Sequence, residues 1–382
     1  MKRALVFNAE RRVGLVLCRE FARKGFIVDM ASHALLPRSF YSKYCCKKIR
    51  YTMDVLDPLV DYIKKMKPDI IVPLSEDSYL VAYELIDREI QGIIPLPSRD
   101  LFVTMRNKEI AMRLLQSHGL RVPLTYSADE FMSNRQHLKN SKGKNKFLIK
   151  PRISHSGKGI MMFKSLDDFE YAYSAYLKQN KVGNREFLGC HLEHPIIQEY
   201  IEGENYSLHM IIHNERLYLK QLMHHVRYFP KDFGLPIRSR TVELEDPQLD
   251  KIIEFFITIK WSGYIQCDLI RRSDGCYFIN EVNPRFSGVI ENVILSGIDV
   301  VNILLALKEN RVLPVAVPTN YDYEYRSLFG ELAYLSKADH KIATLYDLIR
   351  KEERKIYYDI NTGDIIPHII HLIRLLLVKE VI

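Results

Sequence analysis

Residues 262–288 read Ser262-Gly-Tyr-Ile-Gln266-Cys-Asp268-Leu-Ile-Arg-Arg-Ser273-Asp274-Gly275-Cys276-Tyr-Phe-Ile-Asn-Glu281-Val-Asn283-Pro-Arg285-Phe-Ser-Gly288. Two β-rich runs flank Asp274-Gly275, a pair that marks a hairpin turn. With those two residues as the turn, Ser273 faces Cys276, Asp268 falls opposite Glu281, and Gln266 falls opposite Asn283. Side chains alternate along a strand, so the four share one face, neighbours about 5 Å apart across the ladder. Opposed carboxylates repel, and a fold tolerates them when a cation sits between. Hard oxygen donors from Asp268, Glu281 and the Asn283 amide suit magnesium, which keeps waters and substrate phosphates as its other ligands. The competing reading is a solvated polar face. It fits Arg271, Arg272 and Lys260 but not Glu281, which lies among the apolar Phe278, Ile279 and Val282.

The chain has 382 residues, room for two or three domains, with an ordinary globular composition of 47% hydrophobic and 27% charged residues. Residues 1–10 contain no apolar run of signal-peptide length. Six cysteines, none in a CxxC pair, point to reduced thiols and a cytoplasmic protein. The net charge of +8 at pH 7 calls for an anionic partner. The basic residues form no stripe for nucleic acid, and nucleotide phosphate accounts for the excess equally well.

Residues 1–97 alternate strand signals (3–7, 26–31, 69–73, 92–96) with helical ones (13–24, 56–66, 77–89). That alternation predicts a doubly wound parallel sheet. The first turn, from Asn8 to Gly14, holds a single glycine, so a dinucleotide fingerprint is absent. The segment from Leu74 to Asp77 ends a strand, where open sheets bind ligands; it reads equally as a helix cap built on Ser75. Residues 98–118 predict one helix, capped by Ser98 and stopped by Gly119. The smaller unit at 126–200 places Lys150 at a strand end. A loop of small residues follows, Ser154-His-Ser156-Gly157-Lys158-Gly159. Its amides can wrap phosphate oxygens. It lacks the GxxxxGK[ST] pattern and no helix follows, which excludes a P-loop NTPase.

Five features stand in order: a lysine ending a strand, a Gly/Ser loop, Gln198-Glu199-Tyr200-Ile201-x-Gly203-Glu204, Asp268, and Glu281-Val-Asn283-Pro-Arg285. Together they resemble the ATP-grasp superfamily, in the flavour of carboxylate–amine ligases and carbamoyl-phosphate-synthase-like proteins, over residues 1–312. The resemblance implies two α+β lobes gripping ATP, after a doubly wound parallel-sheet pre-ATP-grasp domain. Its boundaries would be 1–97 for that domain, 98–125 for a linking helix, 126–200 for the small lobe and 201–312 for the large lobe. Residues 313–382 would form a C-terminal extension.

The resemblance implies that Lys108 and Lys150 hold the α- and β-phosphates, while Ser154, Ser156, Gly157, Lys158 and Gly159 close over the β- and γ-phosphates. Glu199 and Ile201 would offer backbone groups to adenine, with Gln198 and Tyr200 beside them. Glu204 or Asn205 would grip the ribose. Asp268, Glu281 and Asn283 would ligate Mg2+, with Mn2+ as a substitute. Arg285 would face the transferred phosphoryl group or the substrate carboxylate, assisted by Lys150 and Lys158. Gln266 stands where D-alanine–D-alanine ligases carry an arginine, which argues against that substrate.

The implied reaction activates a carboxylate with ATP and lets an amine displace phosphate from the acylphosphate. The alternatives are another nucleophile, as in carboxylase or carbamoyl-phosphate chemistry, and a non-catalytic ATP-binding regulator. The fold names neither small-molecule substrate. Residues 221–243 read as an irregular stretch. In it Arg227, Arg238 and Arg240 bind an acidic ligand or lie on the surface, and His224-His225 are loop residues. The apolar run 365–378 is too short and too interrupted to span a bilayer. It packs on the body in preference to a homodimer contact or a membrane surface.

Overall fold

The structure, a computed structural model, describes residues 1–140, 146–154, 159–180, 186–187, 190–191, 194–231, 234–349 and 354–378. Its first unit is a parallel sheet in the order Cys45–Arg50, Ile27–Ser32, Arg3–Val6, Ile70–Val72. Helices Arg12–Arg23, Asp57–Met66 and Glu76–Asp87 alternate with these strands, as the sequence pattern predicts. Two details differ. The strand expected at 92–96 is reduced to one bridge from Ile93 to Ile71. The edge strand Cys45–Arg50 was hidden by its exposed lysines, which are a usual guard on a sheet edge.

The helix expected over 98–118 is two helices, Arg99–Arg106 and Lys108–Ser117, broken at Asn107. The Asn107 side chain accepts from the amides of Glu109 (3.1 Å) and Ile110 (3.3 Å), capping the second helix. The break makes Lys108 a first-turn residue, turned inward and buried. Beyond it, strands Thr125–Tyr126, Ile196–Glu199, Phe147–Lys150 and Met161–Phe163 form an antiparallel sheet. An aromatic cluster of Phe131, Phe147, Phe163, Phe169 and Tyr176 backs it.

The large sheet has seven strands, ordered Tyr277–Asn283, Gly263–Arg271, Glu204–His213, Arg216–Phe229, Leu235–Val242, Tyr323–Arg326, Lys355–Tyr358. The stretch expected to be irregular, 221–243, is therefore mostly a long antiparallel pair. One face of the sheet buries Leu208, Met210, Ile265, Cys267 and Ile279 with apolar residues of helices Lys108–Ser117 and Pro247–Thr258. The other face packs Ile211, Met223 and Tyr264 into one core with Val6, Leu17 and Val72 of the first unit. Where the chain enters this sheet, Gly203 passes so close to the Arg271 carbonyl that a Cβ would lie 2.4 Å from its oxygen.

Residues 323–358 extend the sheet and bring carboxylates to the arginines of the preceding strands. Arg227 pairs with Glu331 (2.6 Å) and Asp347 (2.5 Å). Arg238 pairs with Glu331 (3.0 Å) and Asp347 (3.0 Å), and Arg240 with Glu324 (2.5 Å). The sequence reading had these arginines on a ligand or on the surface; the structure pairs them with carboxylates of the chain, Arg238 buried and Arg240 30% exposed, and they tie residues 324–347 to the sheet. The helix Ile366–Val378 packs on the first unit. Its buried His368 lies 3.3 Å from both Arg19 and Arg38, and Asp364 receives Arg19 at 2.9 Å.

Arg238 exposes 2% of its side chain and Glu331 none. Removing one partner of a buried ion pair leaves the other charge uncompensated. Glu331→Ala is expected to lower unfolding free energy by about 3–5 kcal/mol, measured by urea denaturation. A loss below about 1 kcal/mol would show that water replaces the carboxylate.

Candidate active site

The hairpin that opens the sequence reading forms, with a turn one residue longer than expected. Arg272 N–H donates to the Cys276 carbonyl at 3.0 Å, and Gly275 N–H to the Arg272 carbonyl at 2.9 Å. The loop is therefore 273–275, with Gly275 left-handed at φ 83°. Such a loop shifts the register by one. The shift holds for Arg271 opposite Tyr277 and Leu269 opposite Ile279, and is then undone, because Asn280 is an extra residue in its strand. Beyond that bulge Asp268 faces Glu281 and Gln266 faces Asn283, as expected. The bulge also turns Asn280 and Glu281 to one side while Ile279 and Val282 stay in the core.

Asp268 is held by two amides, Gln266 Nε2 at 2.7 Å and Asn283 Nδ2 at 2.8 Å. Burial first, and then the charge of Glu281, raise its carboxyl to about 7, against the opposing pull of Arg285. Three cations converge from three elements. Lys108 Nζ lies 3.3 Å from Glu281 and donates to Ser154 Oγ and its carbonyl, each at 3.1 Å. Lys150 Nζ donates to Gln198 Oε1 at 2.6 Å and Asn280 Oδ1 at 3.1 Å. Burial lowers its ammonium to about 8, although Glu281 pulls the other way. Arg285 donates to Asn283 Oδ1 at 2.9 Å and lies 3.6 Å from Glu76.

The arrangement is a carboxylate pair with two buried lysines and the half-buried Arg285 around it. Anionic oxygens entering it would meet Lys108, Lys150 and Arg285, and a hard divalent cation would meet Asp268 and Glu281. Among the described residues no three His, Cys, Asp or Glu side chains form a metal cluster. An ion here would rest on two carboxylates, the Asn283 carbonyl, and oxygens of water or phosphate.

The remaining candidates line the approach to this centre. Gln198 bridges Lys150 to Thr125, donating to its Oγ1 at 3.1 Å. Glu199 exchanges backbone and side-chain bonds with Leu124, and Tyr200 N–H bonds the Lys146 carbonyl at 2.9 Å. Ile201 is buried, while Glu204 and Asn205 are exposed at the start of a strand of the large sheet. Ser154 and Gly159 flank the loop; Ser156, Gly157 and Lys158 lie outside the described residues.

Sequence reading missed Asn280, because a bulge leaves no mark in a period-two pattern. It also missed the chain from Arg285 through Glu76 to Arg106, an ion pair of the first unit's helix with the linking helix. The helix-cap reading of residues 74–77 holds: Ser75 caps the helix, its side chain accepting from Ser78 N–H.

A family profile described as an ATP-grasp domain matches residues 105–289. A formate-dependent phosphoribosylglycinamide formyltransferase of Prochlorococcus marinus is 29% identical over 163 residues, 41% of this chain and 41% of that protein. The chain thus spans about two fifths of that curated relative. Biotin carboxylase of Campylobacter jejuni, in a β,γ-ATP complex, superposes with a TM-score of 0.65 at 16% identity, over 82% of this chain and 72% of that one. N5-carboxyaminoimidazole synthetase of Staphylococcus aureus with ADP gives 0.63 at 14%, over 82% and 79%. The converging lysines and opposed carboxylates lie within the matched segment, and residues 105–289 carry an ATP-grasp domain.

Proposed function

We propose that this protein is an ATP-dependent carboxylate–amine ligase that forms an amide-type bond through an acylphosphate and releases ADP and phosphate. The observation that carries the reading is the opposed pair Asp268 and Glu281, ringed by Lys108, Lys150 and Arg285. A carboxylate is a poor acyl donor until its oxygen becomes part of a phosphate leaving group. Transferring the γ-phosphoryl group needs positioning and neutralisation of spreading charge, with no protein nucleophile. The relative's name supplies a matching pair of substrates, formate and a glycinamide amine, and a small acid is the first candidate here.

In this reading Lys108 and Lys150 hold the α- and β-phosphates, and the lowered Lys150 value reflects a buried ammonium awaiting an anion. Glu199 and Ile201 present their backbone to adenine beside Gln198 and Tyr200, and Glu204 or Asn205 takes the ribose. Residues 154–159, with Ser156, Gly157 and Lys158, cover the β- and γ-phosphates and keep water from the acylphosphate. Asp268, Glu281 and the Asn283 carbonyl fit Mg2+ or Mn2+, which when bound neutralises phosphate charge and orients its oxygens. Arg285 faces the transferred phosphoryl group. No helix among the described residues is long and apolar enough to cross a membrane. We place the protein in the cytoplasm.

ADP release should appear when ATP and Mg2+ are supplied with a library of small carboxylates, including formate and bicarbonate, together with amines; hydroxylamine should trap the acylphosphate. Glu281→Gln is nearly isosteric and should abolish turnover with the fold intact. Arg285→Ala should lose on the order of 10²–10⁴ in turnover with a far smaller change in nucleotide affinity. Substrate-independent ADP formation, or full activity in Glu281→Gln, would overturn the reading.

The raised Asp268 value makes a second prediction. Its contribution to stability is fully present below the ordinary carboxylate value and is lost as pH rises through about 7. Mg2+ should offset that loss, so it should raise Tm more near pH 8 than near pH 5.5. An equal rise at both would remove Asp268 from the ion's ligands.

A further inference from the structure

On the sheet face that carries Asp268, a chain of side-chain hydrogen bonds crosses four strands. Ser239 Oγ lies 2.8 Å from His225 Nδ1, and His225 Nε2 lies 2.8 Å from Ser207 Oγ. Ser207 Oγ is 2.7 Å from His209 Nε2, and His209 Nδ1 is 2.6 Å from the Tyr264 hydroxyl. None of the five exposes more than 4% of its surface. Register sets the chain beside the carboxylate: Ser207 stands directly opposite Asp268, and His209 opposite Gln266. At the Tyr264 end, the ring stacks on Phe286 with centroids 4.6 Å apart. Phe286 and Ser287 directly follow Arg285, whose Nη1 donates to the Phe286 carbonyl at 3.1 Å.

The Ser207 hydroxyl, with one hydrogen, couples the two rings: it donates to one Nε2 and accepts from the other, so neutral His209 and His225 hold opposite tautomers. Each link has one donor and one acceptor. Burial also drives both imidazoles down to about 3 and keeps them neutral. A satisfied polar chain in a sheet core imposes one side-chain arrangement, where apolar packing would allow several.

We propose that this proton-ordered chain is a positioning device for Arg285: it locks Tyr264, and Tyr264 holds the turn that aims the guanidinium at Asn283 and Glu76. None of its members needs to touch substrate. The kinetic part rests on the ligase reading; the structural part stands without it.

Tyr264→Phe keeps the ring and its stack and deletes one hydroxyl. The Arg285 Nε–H resonance should shift or broaden in this variant, and substrate-dependent ADP formation should fall about tenfold in kcat with KM for ATP unchanged. His209→Asn leaves an amide, donor or acceptor, where Nδ1 stood and should restore both readouts toward wild type; His209→Leu should behave like Tyr264→Phe. In the wild-type protein, side-chain NMR should find opposite tautomers, with the proton on Nε2 of one ring and on Nδ1 of the other. Identical tautomers, an imidazolium at either position, or an Arg285 resonance unmoved by Tyr264→Phe would overturn the proposal. If the wild type forms no ADP with any acid and amine, the ligase reading fails, and the Arg285 and histidine signals still decide this one.

Discussion

Two carboxylates facing each other across one ladder rung set the terms for the rest of this molecule. At about 5 Å and an effective dielectric of about 20, two unit charges repel by about 3 kcal/mol. That cost is tolerable only if cations arrive from outside the hairpin, and they arrive from three places. Lys108 comes from a helix broken for the purpose at Asn107, Lys150 from the end of a small-lobe strand, and Arg285 from the turn just past the hairpin. Each supplier is held by its own partners, and of the three Lys108 is the one at ion-pair distance from an acid of the pair. At the half-buried Asp268 the surrounding cations do not fully suffice, and its proton is held to about 7.

The arginines and lysines divide this work by chemistry. The arginines at 227, 238 and 240 are committed to Glu324, Glu331 and Asp347, where a planar fork can serve several carboxylate oxygens in a dry sheet. Lys108 and Lys150 stand instead beside the opposed acids, each a compact ammonium held by oxygens of the chain. The internal arginines are matched by carboxylates of the chain and so add nothing to the +8 net charge.

The parts legible in the sequence were those where one residue type answers one local demand. The βα alternation, the strand ending at Lys150 and the opposition of Asp268 to Glu281 all follow from period and turn chemistry. The register prediction came out correct through two compensating departures, a longer turn and the bulge at Asn280. Asn107 held a readable signal, since Asn is a strong N-cap, yet the uninterrupted helical pattern on both sides concealed it. Arg227, Arg238 and Arg240 were opaque for a different reason. Their partners lie about 80 to 120 residues away, and nothing local tells an arginine whether its carboxylate belongs to the chain or to a ligand.

The face that bears the acids also explains why His209 and His225 are neutral there. A protonated imidazole would gain from Asp268 yet would have no other anion, and burial of an unpaired charge outweighs one screened attraction. Linked through Ser207, each ring instead has both nitrogens satisfied without any net charge. The sheet therefore passes within a few residues from a strongly charged rung to a neutral, fully bonded one. That gradient confines positive charge to side chains that reach in from other elements. The cations can then respond to what binds, while the floor beneath them stays fixed.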